Sequence, residues 1–248
     1  MLDVLMHAAQ FETRFTYDFV CRFLPRRCER ILEVGCGKGE LAAHLSHHGF
    51  QVTAIDGDEK SIQAARLLGV DARVAEWPDF TEGPFDAVLF TRSLHHIHPL
   101  RDAVESAAQC LRADGRIIVE DFAYESTDER TLRWFVSASR VVAAAGLLIE
   151  RDELFDELLR SGASLASWRA NHDHDLSSAV QIAATLDTVF GSVITENAPY
   201  YFRYLAKTVG HSRRRDALVE ALAEQEIELI SSGAIIALGR RFVATRNV

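Results

Sequence analysis

Apolar residues in the first half of the chain fall into short blocks that alternate between two spacings. Helical spacing opens the chain. Residues 1–27 read as helix, with Leu2, Leu5, Met6, Ala9, Phe15, Phe19, Val20 and Phe23 on one face and Pro25 at its end. Arg30–Val34 is then a short strand running into glycines, Gly39–His48 a helix stopped by Gly49, and Gln51–Ile55 a second strand. Lys60–Leu68 is a helix ended by Gly69, and Ala72–Ala75 a third strand. Phe85–Phe90 is apolar nearly throughout, as a strand buried on both faces must be. A helix from Leu100 to Leu111 and a strand at Gly115–Val119 follow. Strand and helix alternate here with short turns, which predicts a parallel, doubly wound α/β sheet. Ligands of such a sheet belong in the crevice at the carboxyl ends of its strands.

After residue 122 the rhythm changes. Thr127–Leu148 and Asp152–Ser161 read as helices, Trp168–Leu176 as a polar, His-rich bridge, and Ser177–Phe190 as another helix. Gly191–Glu196 is a strand, Arg213–Ile230 a helix and Ile235–Thr245 a last strand. No repeat or linker interrupts the chain. The expected organisation is one domain: an N-terminal helical lid (1–27), a ligand-binding core (28–122), a helical cap (123–190) and a sheet-completing part (191–248). The apolar face of Leu132–Leu148 is either cap core or the contact of a homodimer.

Composition narrows the function classes. The 248 residues are 48% hydrophobic and 25% charged, an ordinary globular balance. Lys+Arg number 27 against 36 Asp+Glu, a net charge of −9, so DNA is not an expected partner. The tight basic cluster Arg213-Arg214-Arg215 reads as a solvated helix start. Cys21, Cys28, Cys36 and Cys110 form no CxxC pair and read as reduced thiols of a cytoplasmic protein. The opening MLDVLMHAAQFETRF has no basic flank or long apolar core, so no signal peptide is expected. Apolar runs fall well short of a membrane span, and no membrane contact is expected.

The segment Glu33-Val34-Gly35-Cys36-Gly37-Lys38-Gly39-Glu40 follows a strand and opens a helix. Glycines let a ligand approach the backbone, and the helix N-terminus adds free N–H groups. A small ligand with a carboxylate or phosphate is expected. Gly37-x-Gly39-x-x-Ala42 with Asp56 also matches the dinucleotide fingerprint, which points to NAD and an oxidoreductase. That reading needs a hydride-transfer set such as Tyr-x-x-x-Lys, which is not found. Glu33, two residues before the first glycine, suits a cationic ligand better than a pyrophosphate.

The same segment resembles motif I, acidic-x-G-x-G-x-G, of the class I S-adenosylmethionine-dependent methyltransferases. Val52-Thr-Ala-Ile-Asp56 is similar to their second-strand motif, and Phe85–Ile97 (FDAVLFTRSLHHI) to the fourth-strand motif of their small-molecule branch, the methyltransferase type 11 and 12 group. Leu111–Glu120 (LRADGRIIVE) resembles the stretch leading into the fifth strand. Together these cover about residues 30–122. The resemblance implies a Rossmann-like sheet of seven strands, order 3-2-1-4-5-7-6 with strand 7 antiparallel. It also implies S-adenosylmethionine as cofactor. Asp56 would take the ribose hydroxyls, Gly35, Cys36 and Gly37 would meet the methionine part, and Glu33 would orient the loop or the ammonium. Glu76, where the family usually has Asp, would take the adenine amino group, with Asp79 as the alternative. Trp77 packs on adenine or in the core, Gly57 replaces the usual apolar residue, and Thr91 lies near the methionine end.

Transfer to oxygen or carbon also requires a base. His95 and His96 follow the fourth strand, and Glu120 and Asp121 end the fifth, its neighbour in this fold. A dyad of His95 with Asp121 is expected, with Glu120 as the alternative partner and a purely loop-shaping role as the alternative function. The Asn-Pro-Pro-Tyr motif of nucleic-acid amino-methylating enzymes is replaced by Thr91-Arg92-Ser93-Leu94. The His172/His174 segment reads as a polar loop lining an acceptor pocket rather than a metal site, with Tyr17, Tyr124, Trp134, Tyr200 and Tyr201 as further candidates. The expected function is methyl transfer to a small-molecule acceptor, oxygen slightly favoured. A methyltransferase of RNA or protein, and a non-catalytic cofactor-binding module, stay open.

Overall fold

The structure is a computed structural model that describes residues 10–148, 153–162, 164–172, 175–209 and 213–246. The elements in chain order are α1 (Phe11–Phe23), β1 (Arg30–Val34), α2 (Glu40–His47), β2 (Gln51–Asp56), α3 (Glu59–Leu67), β3 (Asp71–Val74) and β4 (Phe85–Thr91). Then come α4 (Leu100–Cys110), β5 (Leu111–Phe122), α5 (Glu129–Ala144), α6 (Glu153–Ser161), α7 (Leu165–His172) and α8 (Ala179–Phe190). The chain closes with β6 (Ile194–Ala198), α9 (Tyr201–Thr208), α10 (Arg213–Ser231) and β7 (Gly239–Thr245).

The seven strands form one sheet in the order β3-β2-β1-β4-β5-β7-β6, with β7 antiparallel, as the motifs implied. β1 pairs in parallel with β2 and β4, and β5 in parallel with β4. The continuous apolar run of β4 is buried at every position. The Asp58 side chain starts α3 by accepting the N–H groups of Lys60 and Ser61 at 3.3 and 3.0 Å.

Two compact units divide the chain. The first comprises residues 1–121, 179–196 and 241–248. Its core joins Phe19 and Val20 of α1 to Ile31, Leu45, Ala54, Leu89, Ile118 and Val243. The second comprises 122–178 and 197–240. It is built on aromatic packing: Phe135, Phe155, Trp168, Tyr200 and Tyr201 are all buried there with Leu132 and Leu205. Helix α8, which the sequence places in the cap, belongs to the first unit and packs on α4.

Three local readings need correction. Trp168 to His172 is no bridge; it ends helix α7. Tyr201–Thr208 is helical, which the sequence reading missed. Arg215 is not solvated: it is buried, with Nη1 2.9 Å from Asp216 Oδ1 and Nη2 donating to the Ala206 carbonyl at 3.0 Å. Within the second unit Leu132, Phe135, Val136 and Val142 of α5 are buried, so that apolar face is core. The proposed lid includes residues 1–9, which lie outside the described residues, and so does His174.

Candidate active site

A cavity of about 380 Å³ opens at the carboxyl ends of β1, β2 and β3 and beside the turn after β4. That size suits a small-molecule site, whose usual range is roughly 300–1,000 Å³. Its walls include Gly35, Asp56, Gly57, Glu76 and Trp77, all expected from the sequence. They also include Arg92, Ser93, His96 and Ile97, which were not. The signal for these four was their place directly after a fully buried strand. Asp79 is not among the walls.

Asp56 ends β2 and knits two turns. Its Oδ2 accepts the Gly37 N–H at 2.8 Å and its Oδ1 the Asp58 N–H at 2.9 Å. A carboxylate oxygen has two lone pairs, so both retain an acceptor position for ligand hydroxyls. Gly35 has φ +69°, and a Cβ there would stand 2.4 Å from the Ser93 Cβ. Ser93 is fixed by its hydroxyl, which donates to the Val34 carbonyl at 2.6 Å. The glycine lets the β1 and β4 loops close on each other.

Gly57 and Glu76 explain each other. A Cβ on Gly57 would meet the Glu76 Oε1 at 2.6 Å. The longer acid at position 76 thus fills the space that a side chain at 57 would take. Trp77 is buried; its indole N–H donates to the Ala103 carbonyl at 3.0 Å and its ring meets Phe90 edge-on at 5.8 Å. It serves both as core and as wall.

Glu33, Cys36, Gly37 and Thr91 do not line the cavity. Glu33 is buried beneath the glycine loop, where Thr91 Oγ1 donates to its Oε1 at 3.0 Å. Burial pushes its carboxyl up to about 7, against the opposing pull of Thr91 and Arg92. Its Oε2 is buried with no hydrogen-bond partner among the described residues. A buried acceptor atom directly below that loop fits a ligand with an ammonium group. Burial pushes the Cys36 thiol up to about 12, so it is not a nucleophile near neutral pH.

His95 sits in a 3-10 turn, Leu94–His96, and is 5% exposed. Its Nδ1 lies 2.7 Å from Asp121 Oδ1, and its backbone N–H donates to Asp121 Oδ2 at 3.3 Å. Asp121, not Glu120, is therefore its carboxylate partner. Glu120 instead accepts from Thr16, Arg92 and Arg241. The ring of the exposed His96 stands 4.1 Å from that of His95, centroid to centroid.

The other aromatic and histidine candidates are engaged elsewhere. His172 is buried in the second unit, its Nδ1 2.8 Å from the Trp168 carbonyl and its Nε2 3.1 Å from the Tyr204 hydroxyl. It is not a polar loop residue. Tyr124 stacks on it at 5.7 Å, and Trp134 and Tyr201 meet edge-on at 5.9 Å in the same unit. Tyr17 packs against His44 and His48. Among the described residues no three His, Cys, Asp or Glu side chains are grouped to hold a metal ion.

A family model described as a methyltransferase domain matches residues 7–174, more than half of the chain. The chain belongs to this family. It is by family a methyltransferase-domain chain. Among curated methyltransferases it is 34% identical over 163 residues to a ubiquinone biosynthesis O-methyltransferase of Xylella fastidiosa, covering 61% of this chain and 63% of that protein. It is 31% identical over 189 residues to a trans-aconitate 2-methyltransferase of Mycolicibacterium gilvum, covering 70% and 73%. The chain thus spans less than two thirds of the length of the ubiquinone relative.

Solved methyltransferases share the fold at low identity. The Haemonchus contortus phosphoethanolamine N-methyltransferase 2, in complex with S-adenosyl-L-methionine, superposes with a TM-score of 0.58 at 16% identity, covering 95% of this chain and 53% of that one. The plantazolicin methyltransferase BpumL, in complex with S-adenosylhomocysteine (SAH), gives 0.54 at 15%, covering 97% and 83%. Among the described residues no helix of this methyltransferase-family chain is long and apolar enough to cross a membrane.

Proposed function

We propose that the chain transfers a methyl group from S-adenosylmethionine to a small-molecule acceptor, at an oxygen whose proton is taken by His95. The observation that carries this reading is the convergence of Gly35, Asp56, Gly57, Glu76 and Trp77 on one cavity at the strand ends. When bound, the cofactor supplies the methyl on a sulfonium. The two acids on the β2–β3 side, Asp56 and Glu76, accept hydrogen bonds from the ribose and the adenine amino group. Glu33 lies beneath the loop where the ammonium would rest.

The methyl displacement itself asks the protein for alignment. The acceptor's proton asks for a base. Asp121 beside Nδ1 orients the His95 ring, and Nε2 would take that proton. The name O-methyltransferase of the ubiquinone relative supports an oxygen acceptor. A second reading has its own support: His96, rather than His95, lines the cavity. In that reading Asp121 and His95 brace the turn, and His96 faces the reacting atoms.

Titration calorimetry with SAH and NAD tests the cofactor. SAH alone is expected to bind, and Asp56→Ala is expected to weaken it roughly 10- to 100-fold, the loss of charge-assisted hydrogen bonds. Binding of NAD instead overturns the reading. With an acceptor in hand, the rate of His95→Ala should fall at least about 100-fold. If His96→Ala loses that rate and His95→Ala keeps it, the second reading is correct.

A further inference from the structure

The cavity has a cationic side that the reading above leaves without a role. Arg92 follows β4 directly and lines the cavity with a side chain 36% exposed. Its φ is +67°, a backbone value that residues with a Cβ seldom adopt. Its position is held from several directions. The backbone N–H donates to the Glu120 carbonyl at 2.7 Å. Nη1 donates to Glu120 Oε2 at 3.1 Å and to Thr16 Oγ1 at 3.3 Å.

Glu120 is itself buried and shared. Arg241 donates to its Oε1 through Nε at 3.0 Å and Nη2 at 2.7 Å, and the Thr16 hydroxyl to its Oε2 at 2.7 Å. The Arg241 guanidinium lies over the rings of Phe15 and Phe19, 4.6 and 4.4 Å from their centroids. Glu120 thus accepts from both guanidiniums. Arg92 is the more exposed of the two. Glu33, which Arg92 also attracts, is pushed up to about 7 by burial. The cavity is polarised: Asp56 and Glu76 stand on the β2–β3 side, Arg92 on the β4–β5 side.

We propose that Arg92 is the anion-recognising side chain of this site, taking a carboxylate of the bound small molecule, with Glu120, Thr16 and Arg241 as the positioning residues that hold its guanidinium. A guanidinium held as a fork matches a carboxylate in two parallel hydrogen bonds. The carboxylate belongs either to the amino-acid end of the cofactor or to the acceptor. That choice rests on the methyltransferase reading; the role of Arg92 does not.

The experiment is calorimetry on wild type and Arg92→Asn, since Asn tolerates a left-handed backbone. The probes are SAH, its decarboxylated analogue S-adenosyl-3-thiopropylamine, and benzoate and citrate added to SAH-saturated protein. If the cofactor supplies the carboxylate, Arg92→Asn binds SAH at least about tenfold more weakly while the decarboxylated analogue binds both proteins alike. If the acceptor supplies it, SAH binding is unchanged and benzoate or citrate binding is lost. Thr16→Val should reproduce part of either loss, about two- to fivefold, with the same dependence on the carboxylate. Arg92→Lys, which keeps the charge without the fork, stands in if Arg92→Asn does not fold, and should lose the same probe.

A folded variant with unchanged binding of all four probes overturns the proposal. A wild type that binds no SAH overturns the methyltransferase reading instead. Benzoate and citrate titrated into the free wild type and variant then decide Arg92 alone, and no binding to the wild type sinks it.

Discussion

The two compact units each bury a glutamate beside backbone, with opposite results. In the first unit Glu33 accepts one hydroxyl on Oε1, and its Oε2 is buried with no hydrogen-bond partner among the described residues. In the second, Glu226 reaches from α10 to the start of α9. There its two oxygens accept three consecutive backbone N–H groups, of Tyr200 at 2.6 Å, Tyr201 at 3.1 Å and Phe202 at 3.1 Å. Burial pushes both carboxyls up to about 7. Yet Glu226 is consumed by its helix, whereas Glu33 keeps an oxygen in reserve beneath a glycine loop. An equal shift in pKa thus marks a structural joint in one unit and a candidate ligand contact in the other.

The largest test of this contrast is Glu226→Ala. Three buried donors lose their acceptor at once, so urea unfolding should lose about 3–5 kcal/mol. Glu226→Gln, which keeps an acceptor, should lose less and leave SAH affinity unchanged. Loss of SAH binding in a folded Glu226→Gln would break the contrast.

The next test is pH. A carboxyl raised from 4.5 to about 7 on folding keeps its proton in the folded chain where the unfolded chain has released it. Stability therefore falls as pH rises from about 4.5 to 7, for Glu33 and Glu226 alike. Each contributes on the order of 3 kcal/mol of that fall. Glu33→Gln, neutral at every pH, should remove its share. The difference in Tm between pH 5 and pH 8 should shrink in the variant, while its SAH affinity drops. An unchanged affinity would make Glu33 a brace like Glu226.

The smallest expected effect is at Gly57. Gly57→Ala forces the Glu76 carboxylate aside and should weaken SAH about two- to fivefold, with little change in Tm. A larger effect in Gly57→Ala than in Asp56→Ala would reverse the order of importance given to these walls.

Much of the first unit was legible because its elements follow simple periodicities. The apolar run of β4 and the glycines after β1 announce a buried strand and a ligand loop without help from distant parts of the chain. The second unit was less legible. α7 carries polar residues around its buried Trp168 and His172, so its amphipathic signal is weak. α9 begins where a side chain 26 residues away caps it, a contact that no local pattern encodes. Arg92 was missed for a related reason. Its place depends on Glu120, Thr16 and Arg241, which come together only when β4, β5, β7 and α1 are assembled. Gly57 and Glu76 were each visible as departures from the family pattern, but their mutual fit is a property of space.

The boundaries of the two units carry a consequence for recombination. The chain passes from one unit to the other at 121/122, 178/179, 196/197 and 240/241. The second unit is therefore encoded in two separate stretches with α8 and the start of β6 between them. A chimaera that exchanges the second unit with that of a relative has to replace 122–178 and 197–240 together and retain 179–196 from the parent. A single crossover inside 122–240 splices foreign segments of that unit onto native ones and yields a mixed core.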